Sequence, residues 1–319
     1  MSSSQEPMKT PVALLIFNRP ECTERVFEAI RQAKPSQLLA IADGPRPDRP
    51  DDIAKCAAAR AIIDRVDWDC EVFKNYADTN LGCGVRPATG ISWVFDRVET
   101  AIILEDDCIP HPDFFRFCDE LLTRYRDDDR VMHISGNNFW ASKYQHEDSY
   151  LFSRYTLSWG WATWRRAWQH YDYDMKNWLQ MAPDRQHQLL QDLLGDDHAV
   201  KTWARIFHDA SSRDLGCWDY QWTLTCWLQG GLGIVPQVNL VTNIGFDADA
   251  THTRSADTNS ADCPQLSIPA TAINFPLQHP ELVTRNLQID RVIQEICFDY
   301  FPKFFKRIQL KLKQLTRSA

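Results

Sequence analysis

AIILEDDCIPHPDFF, Ala101 to Phe115, decides how this chain is read. Ala101 to Leu104 is an apolar run of strand length, and Glu105, Asp106 and Asp107 follow it with no spacer. Adjacent carboxylates repel one another and cost desolvation, so a trio at the end of a buried strand needs compensation. A divalent cation supplies it well, because hard cations prefer carboxylate oxygens. In an open α/β sheet the carboxyl ends of the strands are also where ligands bind. The same residues can be read as a solvated acidic loop capping the helix that Pro112 starts, with Asp113 favourable in its first turn. Taken alone, the stretch leaves both readings open.

Upstream, short apolar runs alternate with helical patterns, which predicts βαβ units and a mostly parallel sheet. The expected strands are Pro11 to Phe17, QLLAIA ending before Asp43-Gly44-Pro45, EVFKNY ending before Asn80-Leu81-Gly82, and AIIL itself. Between them, Val26, Ile30 and Ala33 share one helical face, and Asp51 and Asp52 can cap a helix carrying Ile53, Ala57, Ala61 and Ile62. A further helix is expected from Pro87 to Val98. Downstream, DFFRFCDELLTRY reads as a helix and VMHIS, Val131 to Ser135, as a fifth strand. Beyond Gly136 the pattern loosens into aromatic-rich loops and short helices, with one more strand over Val238 to Thr242 and a last helix from Asp290. The expected division is a catalytic body over 9–247, then a polar excursion and basic C-terminal helix over 248–319.

The chain has 319 residues, 44% of them apolar, enough for one large core or two modest ones. Its formal net charge of −8 argues against a nucleic-acid binder, which needs a basic face. The polar start MSSSQEPMKT lacks a signal-peptide core, and no apolar run approaches the ~20 residues of a membrane span. Ten scattered cysteines without a CxxC pair suit free thiols in a reducing cytoplasm. The tail FPKFFKRIQLKLKQLTR sets Phe301, Phe304, Phe305, Ile308, Leu312 and Leu315 largely on one face and bases elsewhere. That pattern suits a helix lying on an anionic membrane surface, and equally one docked on its own domain.

The EDD turn followed by PDFF is similar to the acidic signature of the GT-A glycosyltransferases, particularly the N-acetylglucosaminyltransferase I type, and bacterial family-2-like glycosyltransferases share much of the pattern. Phe17-Asn18-Arg19, Asp43-Gly44, Leu157-Ser158-Trp159-Gly160-Trp161 and Trp218-Asp219 resemble further family segments in the same order, over roughly residues 11 to 252. The resemblance implies a GT-A, Rossmann-like mixed and mostly parallel sheet flanked by helices, with an aromatic-rich acceptor side. It implies Mn²⁺ or Mg²⁺ on Asp107, with Asp106 acting through water or on the donor's ribose and Glu105 orienting the site. It implies a nucleotide contact for Arg19, base or ribose binding at Asp43-Gly44, an acceptor loop at Trp159-Gly160-Trp161, and Asp219 as catalytic base. A late histidine near the metal or diphosphate would be His252, with Asp247 and Asp249 as rival ligands. The implied donor is a nucleotide-diphosphate sugar, UDP foremost and GlcNAc its sugar; the acceptor is a hydroxyl of a glycan or another molecule.

The residues carry their own readings beside these. Arg19 can make paired hydrogen bonds to phosphate or a base edge, or simply lie on the surface before Pro20. Asp43 before Gly44 can be ordinary turn chemistry. Gly82, Gly84 and Arg86 open a helix, where backbone amides can admit phosphate and Arg86 can contact it. Trp161, Trp164 and Trp168 have helical spacing, which predicts a buried helix face. Asp219, set among aromatics, is expected to be partly desolvated, as suits a general base, although Trp218 and Trp222 also allow a packed helix with Asp219 facing solvent. Two other functions stay in view. A sugar nucleotidyltransferase would need a glycine- and lysine-rich phosphate loop after the first strand, which is missing here. A non-catalytic carbohydrate-binding protein would need neither the EDD turn nor Asp219.

Overall fold

A computed structural model describes residues 8–139, 144, 146–212, 216–245 and 268–300. In chain order its first half comprises β1 (Val12–Ile16), α1 (Pro20–Ala33), β2 (Gln37–Ala42), α2 (Asp51–Ile63), β3 (Glu71–Tyr76), α3 (Gly82–Phe95), β4 (Thr100–Glu105), β5 (Cys108–Pro110), α4 (Pro112–Arg124) and β6 (Val131–Ser135). Then come β7 (Tyr150–Ser153), β8 (Trp161–Trp164), α5 (Arg165–Trp168), α6 (Lys176–Leu179), α7 (Pro183–Leu194), α8 (Asp197–Ser211), α9 (Asp219–Leu228), β9 (Leu232–Pro236), β10 (Val241–Asn243) and α10 (Leu287–Ile293), which runs into a π-helical segment, Gln294–Tyr300.

The strands form an eight-stranded sheet in the order β3-β2-β1-β4-β8-β6-β9-β7, and β5 pairs with β10 in a small second sheet. β3, β2, β1 and β4 are mutually parallel, as are β6 and β9, while β8 and β7 run against their neighbours. The result is the expected mixed, mostly parallel Rossmann-like sheet flanked by helices. VALLI becomes β1 because a strand covered on both faces can be apolar throughout, and all five residues are buried. Its alternate residues face opposite layers. Val12, Leu14 and Ile16 pack with Val26, Phe27 and Ile30 of α1, whereas Ala13 and Leu15 share a cluster with Ile91 and Val94 of α3, Trp222 of α9 and Trp218 at its N-cap. Fully burying one such side chain, Phe27 for example, contributes roughly 1.5–3 kcal/mol. A separate cluster of Tyr155, Trp203, Phe207 and Trp227 holds α8, α9 and α10 together.

The acidic turn is pinned at both ends. β4 delivers it from the large sheet, and the small sheet receives it at once through β5, where Cys108 stands opposite Asn243. The Ile244 amide donates to the Asp107 carbonyl at 2.8 Å. Pro112 occupies the first turn of α4, and the His111 ring, capping that helix, accepts from the Asp113 amide at 3.2 Å.

Several expectations are corrected here. The run of tryptophans is not one helix: Trp161 to Trp164 is strand β8, and only Arg165 to Trp168 is helical. A spacing of three puts residues on one helix face but on opposite strand faces, so Trp161 packs toward α3 and α9 while Trp164 joins the α1 and α4 side. The helix expected from Pro87 starts at Gly82 and ends at Phe95, with Pro87 inside it. Asp51 and Asp52 lie in the first turn of α2, but neither caps it; Asp52 is turned inward and fully buried. The strand expected over Val238 to Thr242 is shorter and later, and the last helix begins at Leu287, capped by Asn286. Among the described residues no helix is long and apolar enough to cross a membrane, and the nine described cysteines are free thiols. His252, Asp247, Asp249 and the basic tail from Phe301 lie outside the described residues.

Candidate active site

The ends of β1, β2 and β4 and the start of α9 enclose a cleft of about 630 Å³, within the roughly 300–1,000 Å³ of small-molecule sites. One wall is built from charge. Arg19 follows β1 by three residues and is fixed at the N-cap of α1 by Pro20. Its Nη2 donates to Asp106 Oδ1 and lies 2.9 Å from Asp107 Oδ2, so one guanidinium bridges both acids. Asp106 Oδ2 also accepts from the Phe17 amide at 3.3 Å, and Asp107 Oδ1 from the Cys108 thiol at 3.4 Å. Burial alone would lower the Arg19 pKa, but the charges of Asp106 and Asp107 overcome it and hold it above its usual range. Burial raises Asp106 to about 6, with Arg19 opposing and Asp107 reinforcing the rise. Glu105 is pushed up to about 8, first by burial and then by the charges of Asp107, Asp106 and Asp219. One arginine therefore stands against four carboxylates.

Fit to a cation can be judged from the donor set. Asp106 and Asp107 offer the hard oxygens that Mn²⁺ or Mg²⁺ takes. Among the described residues, however, no group of three or more His, Cys, Asp and Glu side chains is arranged to hold a metal. The oxygens that Asp106 and Asp107 do offer are engaged by Arg19.

Asp43 is placed in the cleft but engaged by the chain itself. Its Oδ1 accepts from the Gly44 and Leu81 amides at 2.8 Å each, and its Oδ2 from the Gly82 amide and Asn80 Nδ2 at 3.0 Å. At the start of α3 the Leu81 and Gly82 amides are thus taken by Asp43, which holds the β2 and β3 loops together. Burial raises its pKa although these amides pull it down. Gly44 is required by close approach, since a Cβ there would overlap the Thr79 backbone. Arg86 also lines the cleft, while its guanidinium is spent on the carbonyls of Ala42 and Asn75 at the ends of β2 and β3.

The opposite wall is aromatic. Asp219 is the first residue of α9, half-buried at the cleft beside Tyr220 and Trp218. The start of α9 is held firmly: Trp218 stacks on Trp161 at 5.4 Å between centroids, and Tyr171 donates to the Trp218 carbonyl at 3.0 Å. One turn on, Trp222 Nε1 donates to Nδ1 of the buried His133, so His133 carries its proton on Nε2 and donates to the Leu157 carbonyl at 3.0 Å. Burial lowers His133 to about 3, and it stays neutral. Trp159 lies half-exposed at the cleft edge against Phe139. Its neighbours divide: Gly160, at φ +65°, makes the bend, and Trp161 is wholly buried in the core. Neither lines the cleft, whereas Trp159 does, and Trp161 packs in the core.

The cleft thus gathers Arg19, Asp43, Arg86, Glu105, Asp106, Asp107, Trp159 and Asp219, and leaves out Gly44, Gly160 and Trp161. Sequence reasoning missed Asp52, which accepts from Arg46 through its amide, Nε and Nη2 and from Asn18 at 2.7 Å, and so sets the loop beside Arg19. It also missed Gly245, where a Cβ would run into the Asp107 carboxylate and lie 2.9 Å from Arg19 Nη1. The signal for Asp52 was an acid at a helix start, and for Gly245 the turn-like Asn243-Ile244-Gly245.

No family model matches the chain, and no curated protein matches it. Among solved structures it has a faint likeness to the inositol-1-phosphate CTP transferase from T. maritima, 7% identical over 46% of this chain, with a TM-score of 0.24. The match spans about half of that protein, 54% of its length, and a likeness of this size carries no argument about activity.

Proposed function

We propose that this chain is an inverting glycosyltransferase that moves a sugar from a nucleotide-diphosphate donor, UDP-linked and with GlcNAc as the first sugar to test, to a hydroxyl of a glycan or another acceptor. One observation carries the reading. A single cleft has the acidic turn and Arg19 on one wall and Asp219 among aromatics on the other. The charged wall suits a diphosphate, and the flat face of Trp159 suits the C–H face of a sugar.

In this reading Asp219 takes the proton from the acceptor hydroxyl, whose oxygen attacks the anomeric carbon opposite the departing diphosphate, inverting its configuration. Arg19 supplies positive charge where the diphosphate leaves, and Asp106 and Glu105 orient the donor. Mn²⁺ or Mg²⁺ beside Asp107 would neutralise charge on the leaving nucleotide. A nucleotidyltransferase fits less well: Phe17, Asn18 and Arg19 alone join β1 to α1, with one cation and no glycine-rich loop. The test is a donor-hydrolysis and transfer screen over nucleotide sugars with Mn²⁺. Release of nucleoside diphosphate from one donor supports the reading. Turnover of a nucleoside triphosphate with a sugar phosphate, and of no nucleotide sugar, refutes it.

A further inference from the structure

Asp219 and Trp159 both line the cleft but belong to different segments, and two hydrogen-bonded links join those segments behind it. The first link is made of hydroxyls. Thr223, one turn beyond Asp219 on α9, is 4% exposed, and its Oγ1 donates to the Asp219 carbonyl at 3.1 Å. A hydroxyl has a single proton, so Thr223 has none left for its second partner, Thr156 Oγ1 at 2.6 Å. Thr156 must therefore donate, and the direction of the relay is fixed: Thr156 to Thr223 to the Asp219 carbonyl. The second link runs through His133, which accepts from Trp222 and donates to the Leu157 carbonyl. The Leu157 amide donates to Ser135 Oγ at 3.3 Å, and the Gly136 amide donates to the Gly160 carbonyl at 2.7 Å. The segment 156–160 is thus held on both sides of Trp159, and α9 is registered against it.

A threonine that bonds back to the carbonyl four residues earlier is common in helices and needs no function. Thr225 does the same to the Gln221 carbonyl at 2.9 Å on the same helix. What sets Thr223 apart is its second partner, Thr156, from outside the helix. We propose that Thr156 and Thr223 are positioning residues, whose relay sets where Asp219 stands relative to Trp159. Its consequence for turnover rests on the reading of Asp219 as a base. A misplacement of about 1 Å is enough to cost up to about a hundredfold in rate. Deleting either hydroxyl leaves α9 tied to 156–160 through His133 alone.

The experiment has two readouts. The first needs no turnover: fluorine NMR of the whole chain carrying 5-fluorotryptophan, with the Trp159 signal assigned by its loss in Trp159→Phe. Thr223→Val, which replaces the hydroxyl by a methyl, is expected to move or broaden that signal. Thr223→Ser is expected to restore it, Thr156→Val to reproduce the change, and the double variant to add nothing. Thr225→Val is expected to leave it in place. The second readout is kinetic, with the nucleotide sugar found active. Thr223→Val should lower kcat about tenfold with donor KM unchanged, and Thr223→Ser should recover it. A Trp159 signal unmoved by Thr223→Val overturns the proposal, and an equal change in Thr225→Val does so too. It is also overturned by a kcat that does not fall, or that falls without rescue by Thr223→Ser. If the signal behaves as expected and no nucleotide sugar is turned over, the relay stands and the donor reading falls.

Discussion

The two walls of the cleft are made differently. The wall at the ends of β1, β2 and β4 is a set of charges and amides: Arg19 on Asp106 and Asp107, Asp43 on three backbone N–H groups, Asp52 on Arg46 and Asn18. The wall at α9 is a stack of rings, with Trp161 between His133 and Trp218 and Trp222 tied to His133. In the second, most rings are scaffold, and Trp159, Trp218, Asp219 and Tyr220 line the cleft.

That contrast can be broken by substitution. Asp219→Asn should lower turnover by roughly 10³-fold, in the range of a lost general base, while nucleotide affinity changes little; comparable losses in turnover and in nucleotide affinity would show that Asp219 is no base. Trp161→Ala should destabilise the fold by about 3–5 kcal/mol, as large ring deletions in a core do, because Trp161 is wholly buried. Trp159→Ala, two residues away, should leave thermal stability nearly unchanged and raise KM for the acceptor. Equal melting of the two variants would erase the division between scaffold and ligand-facing rings.

Smaller effects sharpen the charged wall. Asp52→Asn should cost on the order of 2 kcal/mol, less than a fully buried pair, since the Arg46 side chain is 38% exposed. Arg46 and Asn18 hold the Asp52 pKa down at about 2, below its ordinary 3.8, so this stabilisation is present above pH 3.8 and fades as pH falls toward 2. Denaturant melts at pH 6 and pH 2.5 would read it. Glu105 has the opposite sign. Its pKa is raised from 4.5 to about 8, so its contribution is complete below pH 4.5 and is lost as pH rises toward 8. Glu105→Gln should flatten that decline in melting curves recorded with a chelator, and an unchanged pH profile would place the decline elsewhere.

The charged wall was the more legible of the two. Largely apolar runs marked β2 and β6 to the residue and β1 to within one residue at each end, because strands covered on both faces need no polar alternation, and the edge strand β3, EVFKNY, was marked to the residue by its place before the Asn80-Leu81-Gly82 turn. The acid trio announced the turn that β4 delivers. The far half of the sheet was illegible for a physical reason. β7 and β8 have four residues each, too short for a period to declare itself, and Trp161, Trp164 and Trp168 imitate a helix while straddling a strand and a helical turn. The work of Asp43 and Asp52 was hidden because their partners come from distant elements: Leu81 and Gly82 for one, Asn18 for the other. A short acid beside a turn looks the same whether it binds a ligand or the chain.

The most direct test of the central claim is a calorimetric titration of UDP, with Mn²⁺ present, into the wild-type chain and into Asp107→Ala. The account predicts saturable binding at one site per wild-type chain and at least about tenfold weaker binding by a variant that melts at the wild-type temperature. Equal affinity in both proteins would contradict it, because the acidic turn would then take no part in holding the donor.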